Sequence, residues 1–201
     1  MSTTASTAQR PPRLRFSHFG LSVRDVRPME RFYCDVLGFT VTDRGNALGF
    51  ELVFLSRNPD DHHQIVLATG KPANIPPNTV NPMFGPSINQ ISFWLDGLSE
   101  LRLLHRKLVD TGVTPITPID HGLAWSLYFP DPEGNNLEAF VDTPWYIQQP
   151  FAEPLDLSLD DDALVKRTHE LCRCSKGYRS YADWRAEIAA KMAARASGLA
   201  I

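Results

Sequence analysis

The feature that most constrains the fold of this sequence is an internal repeat of one order of secondary-structure elements. A strand, a helix and three further strands are predicted in the first half, and the same βαβββ order follows in the second. The first strands align at His18 and Gln90, 72 residues apart, and the last at Gln64 and Glu138, 74 residues apart. This near-constant offset predicts an α+β fold, in which two tandem modules pair their open sheets into an open-barrel cup.

The first module is expected to span residues 14–70. Polar and apolar residues alternate at its start, which predicts a half-buried strand. Pro28 suits a first helical turn and Gly38 a helix end, so we expect a helix over Pro28–Leu37. Gly45-Asn46 is a turn signal between the first two of three further strands. These strands are predicted at residues 39–44, 49–57 and 63–69.

The second module is expected to span residues 87–143. After a first strand at 88–95, an apolar stripe of leucines predicts an amphipathic helix over Leu98–Thr111, which Gly112 ends. Three strands are predicted to follow at residues 113–119, 124–130 and 136–142.

Three further segments flank the modules. Residues 1–13 are polar and are expected to form a disordered lead-in, and the Pro-rich residues 71–86 form the linker between the modules. Residues 144–201 are expected to form a surface strap and a C-terminal helical extension. Its two helices are predicted between Asp160 and Ala196, the first capped by Ser158 or Asp160. They would serve packing or oligomerisation, or form a lid over the cup.

Composition excludes several classes of protein. A net charge of −3, with no basic block, gives no reason to expect a nucleic-acid partner. No run of 18 apolar residues predicts a membrane span, and the N-terminal segment lacks the apolar core of a secretory signal. Three cysteines do not suggest a disulfide framework, so we expect a reducing compartment, the cytoplasm.

Two side chains of the repeat are suited to hold a divalent metal. An imidazole from His18 and a carboxylate from Glu138 would project from facing strands into the same cup. Gln64 and Gln90 offer weaker oxygen ligands. Because so few protein ligands leave positions for substrate, such a site is typical of a catalytic metal.

The residues 14–143 resemble the vicinal oxygen chelate superfamily, which includes glyoxalase I, extradiol dioxygenases, fosfomycin-resistance transferases and bleomycin-binding proteins. The resemblance rests on FSHFGLSVRDVRPMERFYCDVLGF and on SLYFPDPEGNNLEAFVD. Three stretches are most similar to type I extradiol ring-cleavage dioxygenases, namely HHQIVLATG, GPSINQISF and IDHGLAWSLYFPDPEGNNLE. These enzymes hold Fe(II), sometimes Mn(II), by two histidines and one glutamate.

The resemblance implies a role for each matching residue. His18 and Glu138 would be metal ligands, and His63 the acid–base group. His121 and Tyr128 would hydrogen-bond substrate oxygens. Strand alternation, however, places His62 on the cup face and His63 on the opposite face, unless a bulge reverses the two. Several aromatic residues could line an apolar pocket, although most are expected in the core: Phe50, Phe54, Trp94, Trp125 and Phe140.

Gln90 departs from the extradiol pattern, because it stands where the second ligand histidine is expected. Glyoxalase I uses a glutamine at an equivalent position, so Gln90 remains a candidate ligand. Fe(II) is the expected metal, with Mn(II), Zn or Ni as alternatives.

The resulting hypothesis is an extradiol-type dioxygenase that cleaves a catechol-like aromatic diol with O₂. One alternative is a glyoxalase-like lyase or isomerase, and another is a non-catalytic small-molecule binding protein. The expected partner is a small molecule, without nucleic acid or membrane, and the expected assembly is a homodimer.

Overall fold

The computed structural model describes residues 15–72, 74 and 88–196, with side chains to residue 194. The expected lead-in at 1–13 and all of the expected linker except residues 71, 72 and 74 lie outside this part of the chain. Within it, no helix combines the length and the apolar character that crossing a membrane requires.

The first module folds as one four-stranded sheet with a helix packed against it. Its strands run in the order β1-β4-β3-β2, with β1 parallel to β4 and the other pairs antiparallel. The helix α1 continues directly into a π-helical turn. The bounds are β1 Phe19–Val23, α1 Val26–Arg31, the π-helical turn Phe32–Val36, β2 Thr40–Ala47, β3 Phe50–Ser56 and β4 Ile65–Thr69.

The second module repeats this topology and gains one strand from the C-terminal segment. Its sheet has the order β10-β6-β7-β8-β5, in which β5 is parallel to β8. The bounds of the module are β5 Ile91–Trp94, α2 Leu98–Asp110, β6 Thr117–Asp120, β7 Ala124–Pro130 and β8 Asn136–Asp142. The remaining elements are β9 Trp145–Tyr146, β10 Glu153–Pro154, α3 Asp161–Arg173, β11 Arg179–Ser180 and α4 Tyr181–Ala196.

The strand registers confirm the duplication and correct one alignment. Phe19 pairs with Ile65 and Ile91 with Leu137, so the paired residues lie 46 positions apart in both modules. The offset between the modules is therefore 72 for the last strands too, and the expected 74 is wrong. Glu138 corresponds to Val66, not to Gln64. The first module thus has no carboxylate at the position that Glu138 occupies in the second.

Two local expectations in the first module are also corrected. The helix begins at Val26, not Pro28, because the side chain of Asp25 caps it by accepting a hydrogen bond from the backbone N–H of Arg27. Gly45-Asn46 lies inside β2, and the chain turns at Leu48 and Gly49, which have φ of +54° and +84°. The positive φ that a tight hairpin turn requires falls on these later residues.

A continuous apolar core lies under the helices and joins the two modules. Across the same boundary, Glu133 accepts hydrogen bonds from Lys71 Nζ at 2.8 Å and from the backbone N–H of Arg24 at 2.5 Å. Tyr33 donates to the buried Asp131 at 3.3 Å. In the described residues, the modules are therefore fastened by apolar packing, by the ion pairs of Glu133 and by the hydrogen bond between Tyr33 and Asp131.

The C-terminal helix α3 packs on the second sheet. Asp160 caps it by accepting from the N–H of Ala163 at 2.8 Å, which is one of the two predicted caps. Thr168 on α3 accepts a bond from Trp125 Nε1 and donates to the buried carboxylate of Asp120. Because Trp125 points to the opposite face of β7 from its neighbour Ser126, α3 covers the helix side of the sheet.

Candidate active site

The carboxylate of Glu138 lies at the centre of a cluster of polar side chains, which includes the predicted site residues Gln90 and Tyr128. Glu138 is only 7% exposed and lies in the middle of β8, opposite Ser92 on β5 and Tyr128 on β7. Its Oε2 accepts from Gln90 Nε2 at 2.8 Å and from Ser92 Oγ at 2.5 Å. Its Oε1 accepts from Ser126 Oγ and Tyr128 Oη, both at 2.7 Å.

Every donor that the described residues offer to Glu138 is electrically neutral: an amide and three hydroxyls. Within the same part of the chain, no lysine, arginine or histidine forms an ion pair with it. A buried carboxylate normally has a cationic partner, because removing a charge from water is costly. The surroundings of Glu138 therefore favour a cation, which the described residues do not supply.

Tyr128 links this carboxylate to His121. The hydroxyl of Tyr128 donates to Glu138 and lies 3.0 Å from Nε2 of His121. Burial, and next the hydrogen bond to Glu138, raise the pKa of Tyr128 far above its ordinary value. The hydroxyl therefore keeps its proton at neutral pH and remains a hydrogen-bond donor.

Three histidines form a second cluster on the first module. The rings of His18 and His63 lie 4.2 Å apart between centroids, and Nδ1 of His62 lies 2.8 Å from Nδ1 of His63. Desolvation, and then the charges of His18 and His62, lower the pKa of His63. His63 thus favours its neutral form, which is the form that a general base requires.

The alternation argument that separated His62 from His63 fails here, since β4 begins only at Ile65. Both rings lie beside Phe54, at centroid distances of 5.5 and 5.2 Å, so neither is on the opposite face.

The two clusters are not joined by a contact within the described residues. His18 is exposed and contacts Ser17 and His63, whereas Glu138 contacts only the second module. Gln64 is engaged elsewhere, since its Oε1 accepts from the backbone N–H of Arg57. The roles of His18, Gln90 and Glu138 as metal ligands, and of His63, His121 and Tyr128 in catalysis, stay predictions.

A cavity of about 540 Å³ lies at the seam between β1 and β5. Ser92, a donor to Glu138, and Gln64 form part of its wall, together with the aromatic Phe19, Phe93 and Trp94. Trp94 is 74% exposed and lies 5.2 Å from the ring of Phe140. Of the five aromatic residues considered above, only Trp125 lies in the core, so the expectation that most would be buried is wrong.

The donor set at Glu138 fits a divalent metal. Gln90 and Glu138 touch, so both can be ligands of one ion, and the carboxylate lacks a cationic partner in the described chain. Among the described residues, no three histidine, cysteine or acidic side chains lie close enough together to hold a metal ion by themselves. A third ligand would have to be an amide, a hydroxyl or His18 of the first module.

Comparison with known proteins places the chain in a family. Residues 15–139 match the model of the Glyoxalase/Bleomycin resistance protein/Dioxygenase superfamily, and the chain belongs to that superfamily. This confirms the resemblance to the vicinal oxygen chelate fold. The matched segment covers both modules and ends one residue after Glu138, so the C-terminal extension lies outside it.

Two curated relatives are dioxygenases. Biphenyl-2,3-diol 1,2-dioxygenase 2 of Rhodococcus globerulus is 31% identical over 128 residues, which cover 64% of this chain and 63% of the relative. Catechol-2,3-dioxygenase of Bacillus subtilis (strain 168) is 30% identical over 138 residues, covering 64% of this chain and 42% of the relative. The chain thus spans less than two thirds of the length of the curated relatives that it matches.

A solved structure has the same fold. It is a glyoxylase/bleomycin resistance protein/dioxygenase domain from Frankia sp. EAN1pec, with a TM-score of 0.55 and 23% identity. The alignment covers 66% of this chain and 94% of that chain, so the likeness extends over nearly the whole of the smaller domain. It shows the fold alone.

Sequence reasoning missed several contacts of this site. Ser126 shares strand parity with Tyr128, and this parity is the signal that could have identified it as a donor to Glu138. The backbone carbonyl of Phe151, which lies 2.7 Å from Nδ1 of His121, carries no signal in the sequence. Contacts made by backbone groups of a distant loop cannot be read from residue type.

Proposed function

We propose that this chain is a metal-dependent dioxygenase that cleaves the ring of a catechol-like aromatic diol with O₂. The observation that carries the proposal is the buried Glu138 carboxylate, which has no cationic partner among the described residues and is hydrogen-bonded to Tyr128 and through it linked to His121. The similarity of 64% of the chain to a biphenyl-2,3-diol dioxygenase and to a catechol dioxygenase supports the choice of substrate class.

In this proposal Glu138 and Gln90 hold the metal, with His18 as a further ligand from the first module. Fe(II) is the proposed ion, which would act as a Lewis acid towards the diol and supply electrons to O₂. Tyr128 keeps its proton and donates a hydrogen bond to a substrate oxygen. His63, whose neutral form is favoured, takes a proton from a diol hydroxyl.

The substrate's aromatic ring would lie against the apolar wall of the seam cavity. Trp94 and Phe140 lie two positions beyond Ser92 and Glu138 on the same strand pair, so all four side chains share one face of the sheet. Two residues along a strand are about 7 Å, roughly the width of one aromatic ring with its substituents. This spacing fits a planar diol with its oxygens at Glu138 and its ring on Trp94.

The test uses the full chain, freed of metal and reloaded without air with Fe(II), Mn(II), Zn(II) or Ni(II). We expect O₂ uptake with catechol, 3-methylcatechol or 2,3-dihydroxybiphenyl, together with a coloured ring-opened product, for the iron-loaded protein. Tyr128→Phe should lower kcat about a hundredfold, as the loss of a positioned proton donor does. Tyr146→Phe removes a hydroxyl from a stacked ring outside the site and should leave kcat unchanged.

A second function is favoured by the contact between Gln90 and Glu138. A glyoxalase-like lyase or isomerase uses a metal to stabilise an enediolate, and glutamine and glutamate are natural ligands there. Activation by Zn(II) or Ni(II), with turnover of an α-ketoaldehyde adduct and no O₂ uptake, would support this function and contradict the dioxygenase.

The proposed assembly is a homodimer in which the C-terminal helices contribute to the contact. The buried side chains of α3 face its own sheet, whereas α4 presents Met192 at 67% exposure. Light scattering on the purified chain, with and without residues 181–201, tests the proposal. A monomer in both forms would contradict it.

A further inference from the structure

The turn that carries His121 is held by the segment 143–151, which follows β8 and is called the strap below. Ile147 is fully buried against Gly122, and the side-chain hydroxyl of Thr143 donates to the carbonyl of Gly122. Gly122 has a φ of +73° and no side chain, which leaves room for Ile147. Thr143 and Ile147 both lie beyond residues 15–139, which match the superfamily model.

The strap also determines which nitrogen of the His121 ring carries a proton. Nδ1 lies 2.7 Å from the backbone carbonyl oxygen of Phe151. A carbonyl oxygen can only accept, so Nδ1 must be the donor. In the neutral ring the other nitrogen, Nε2, is then unprotonated, and it lies 3.0 Å from the hydroxyl of Tyr128.

Gln149 hydrogen-bonds to the backbone on both sides of the contact between His121 and Phe151. Its Oε1 accepts from the backbone N–H of Phe151 at 3.1 Å, and its Nε2 donates to the backbone carbonyl of His121 at 2.9 Å. One side chain therefore fixes the backbone of residue 151 relative to the backbone of residue 121. The adjacent Gln148 has an exposed side chain for which the described structure gives no hydrogen bond.

We propose that Gln149 is a positioning residue, which holds the carbonyl of Phe151 against His121 and so fixes the ring in its Nδ1–H tautomer. Nε2 of His121 is thereby kept without a proton, so that it competes with Oε1 of Glu138 for the single hydroxyl proton of Tyr128. In the opposite tautomer, Nε2–H would donate to the Tyr128 oxygen, and the Tyr128 proton would go to Glu138 alone. The strap thus sets whether Glu138 shares the Tyr128 proton with His121.

The catalytic consequence rests on the proposed function, whereas the tautomer does not. A wrong histidine tautomer removes most of the benefit of a positioned imidazole in enzymes that use one, with losses up to about 10⁴ in kcat. Because Gln149→Ala would weaken the control of the tautomer only in part, we expect it to lower kcat about tenfold with KM little changed.

The first measurement is ¹⁵N NMR of protein labelled at its histidine nitrogens, without metal and without substrate. Spectra are recorded at about pH 8, and the ¹⁵N shifts distinguish a protonated ring nitrogen from a bare one. The His121 signals are assigned by their disappearance in His121→Asn. In the wild-type protein we expect a protonated Nδ1 and a bare Nε2.

Two variants then separate the role of Gln149 from general effects on the strap. Gln149→Ala should shift a large share of His121 to the Nε2–H tautomer, while Gln148→Ala should retain the wild-type spectrum. A bare Nδ1 in the wild-type protein would overturn the proposal without any substitution. So would a Gln149→Ala spectrum identical to that of the wild type.

The assay for O₂ uptake is read separately. If the chain cleaves no catechol, the NMR result still decides the tautomer, so failure of the proposed function is distinguishable from failure of this inference. If the chain does cleave catechol, an unchanged kcat in Gln149→Ala alongside a changed tautomer would overturn the catalytic part. A tenfold fall in kcat with the shifted tautomer supports both parts.

Discussion

Gln90 presents its amide nitrogen to Glu138, with Nε2 of Gln90 2.8 Å from Oε2 of the carboxylate. For Gln90 to become a metal ligand, its amide must rotate so that the oxygen replaces the nitrogen, because only the oxygen has a lone pair to give. The residue that departs from the dioxygenase pattern is therefore also the one that touches the key carboxylate. If the site holds a metal as proposed, the ligand chemistry of Gln90 should decide which metal it prefers.

Gln90→His is predicted to increase the affinity for Fe(II) by about tenfold or more. An imidazole is a better ligand for iron than an amide oxygen, and the substitution creates a set of two histidines and one carboxylate with His18 and Glu138. Competition between Fe(II) and a coloured chelator measures the affinity. Gln148→His places the same side chain on the exposed strap and should leave it unchanged. Equal affinities in the two variants would contradict the assignment of residue 90.

Glu138→Gln is predicted to abolish divalent metal binding while leaving the metal-free protein about as stable as the wild type. The change removes a buried charge that no cation of the described chain balances, which offsets the less favourable hydrogen bonds of the amide. Thermal unfolding in chelator should therefore differ by less than about 1 kcal/mol, whereas stabilisation by added Mn(II) should disappear. Glu170→Gln, an exposed change on α3, should keep that stabilisation.

The same residue shows how far sequence alone could reach. The alternation of polar residues and the D-P-E-G-N turn placed Glu138 on a strand, and the duplication placed Gln90 beside it. The register of the parallel pairs makes Glu138 the equivalent of Val66 in the first module. This register could not be obtained from the sequence, because loop lengths do not reveal where a parallel ladder starts. Strand parity alone would have placed His62 and His63 on opposite faces, and it does not apply because both residues precede β4.

The contacts around His121 show where sequence reasoning stops. Its proximity to Tyr128 follows from the pairing of β6 with β7, and both were named as site residues. The strap that fixes its ring comes from 28 to 30 positions further along the chain and acts through backbone groups and one exposed amide. Nothing in residue type marks such a backbone contact, because every residue carries the same carbonyl.

Glu133→Gln is predicted to destabilise the chain by about 1–2 kcal/mol at neutral pH, since Glu133 bonds to Lys71 and Arg24 across the two modules. Burial alone would raise the pKa of Glu133, but the hydrogen bonds from Lys71 and from the backbone of Arg24 outweigh it and lower the pKa. The stabilisation is therefore fully present above the ordinary glutamate pKa of about 4.3 and is lost as pH falls through the lower folded value.

Urea unfolding of the wild type and Glu133→Gln at several pH values measures this effect. The difference between the two proteins should be constant from about pH 7 to pH 5 and should shrink below about pH 4. Glu170→Gln provides the matched control, because its carboxylate is exposed on α3. A difference that grows as the pH is lowered would have the wrong sign and would exclude an ion-paired role for Glu133.

Gly122→Ala is predicted to be the more damaging of two alanine substitutions at glycines with similar backbone angles. Gly122 and Gly134 have φ of +73° and +80°, so a side chain at either costs about 1 kcal/mol in backbone strain. At Gly134 a Cβ would meet nothing within 4 Å, whereas at Gly122 it would lie 2.8 Å from Cγ1 of Ile147 and in contact with Cδ1. Gly122→Ala should therefore cost about 1–3 kcal/mol more than Gly134→Ala.

The double variant Gly122→Ala/Ile147→Ala separates the collision from the backbone strain. Removing the side chain of Ile147 creates room for the new Cβ, so the cost of Gly122→Ala in that background should fall towards the cost of Gly134→Ala. The remaining difference is the milder contact of the new Cβ with Cys172 Sγ at 3.2 Å. Urea unfolding of the four proteins in the cycle gives the coupling free energy, which should be at least about 1 kcal/mol. Additive costs would mean that Ile147 does not press on the His121 turn, and the strap would then have no hold on His121 at this point.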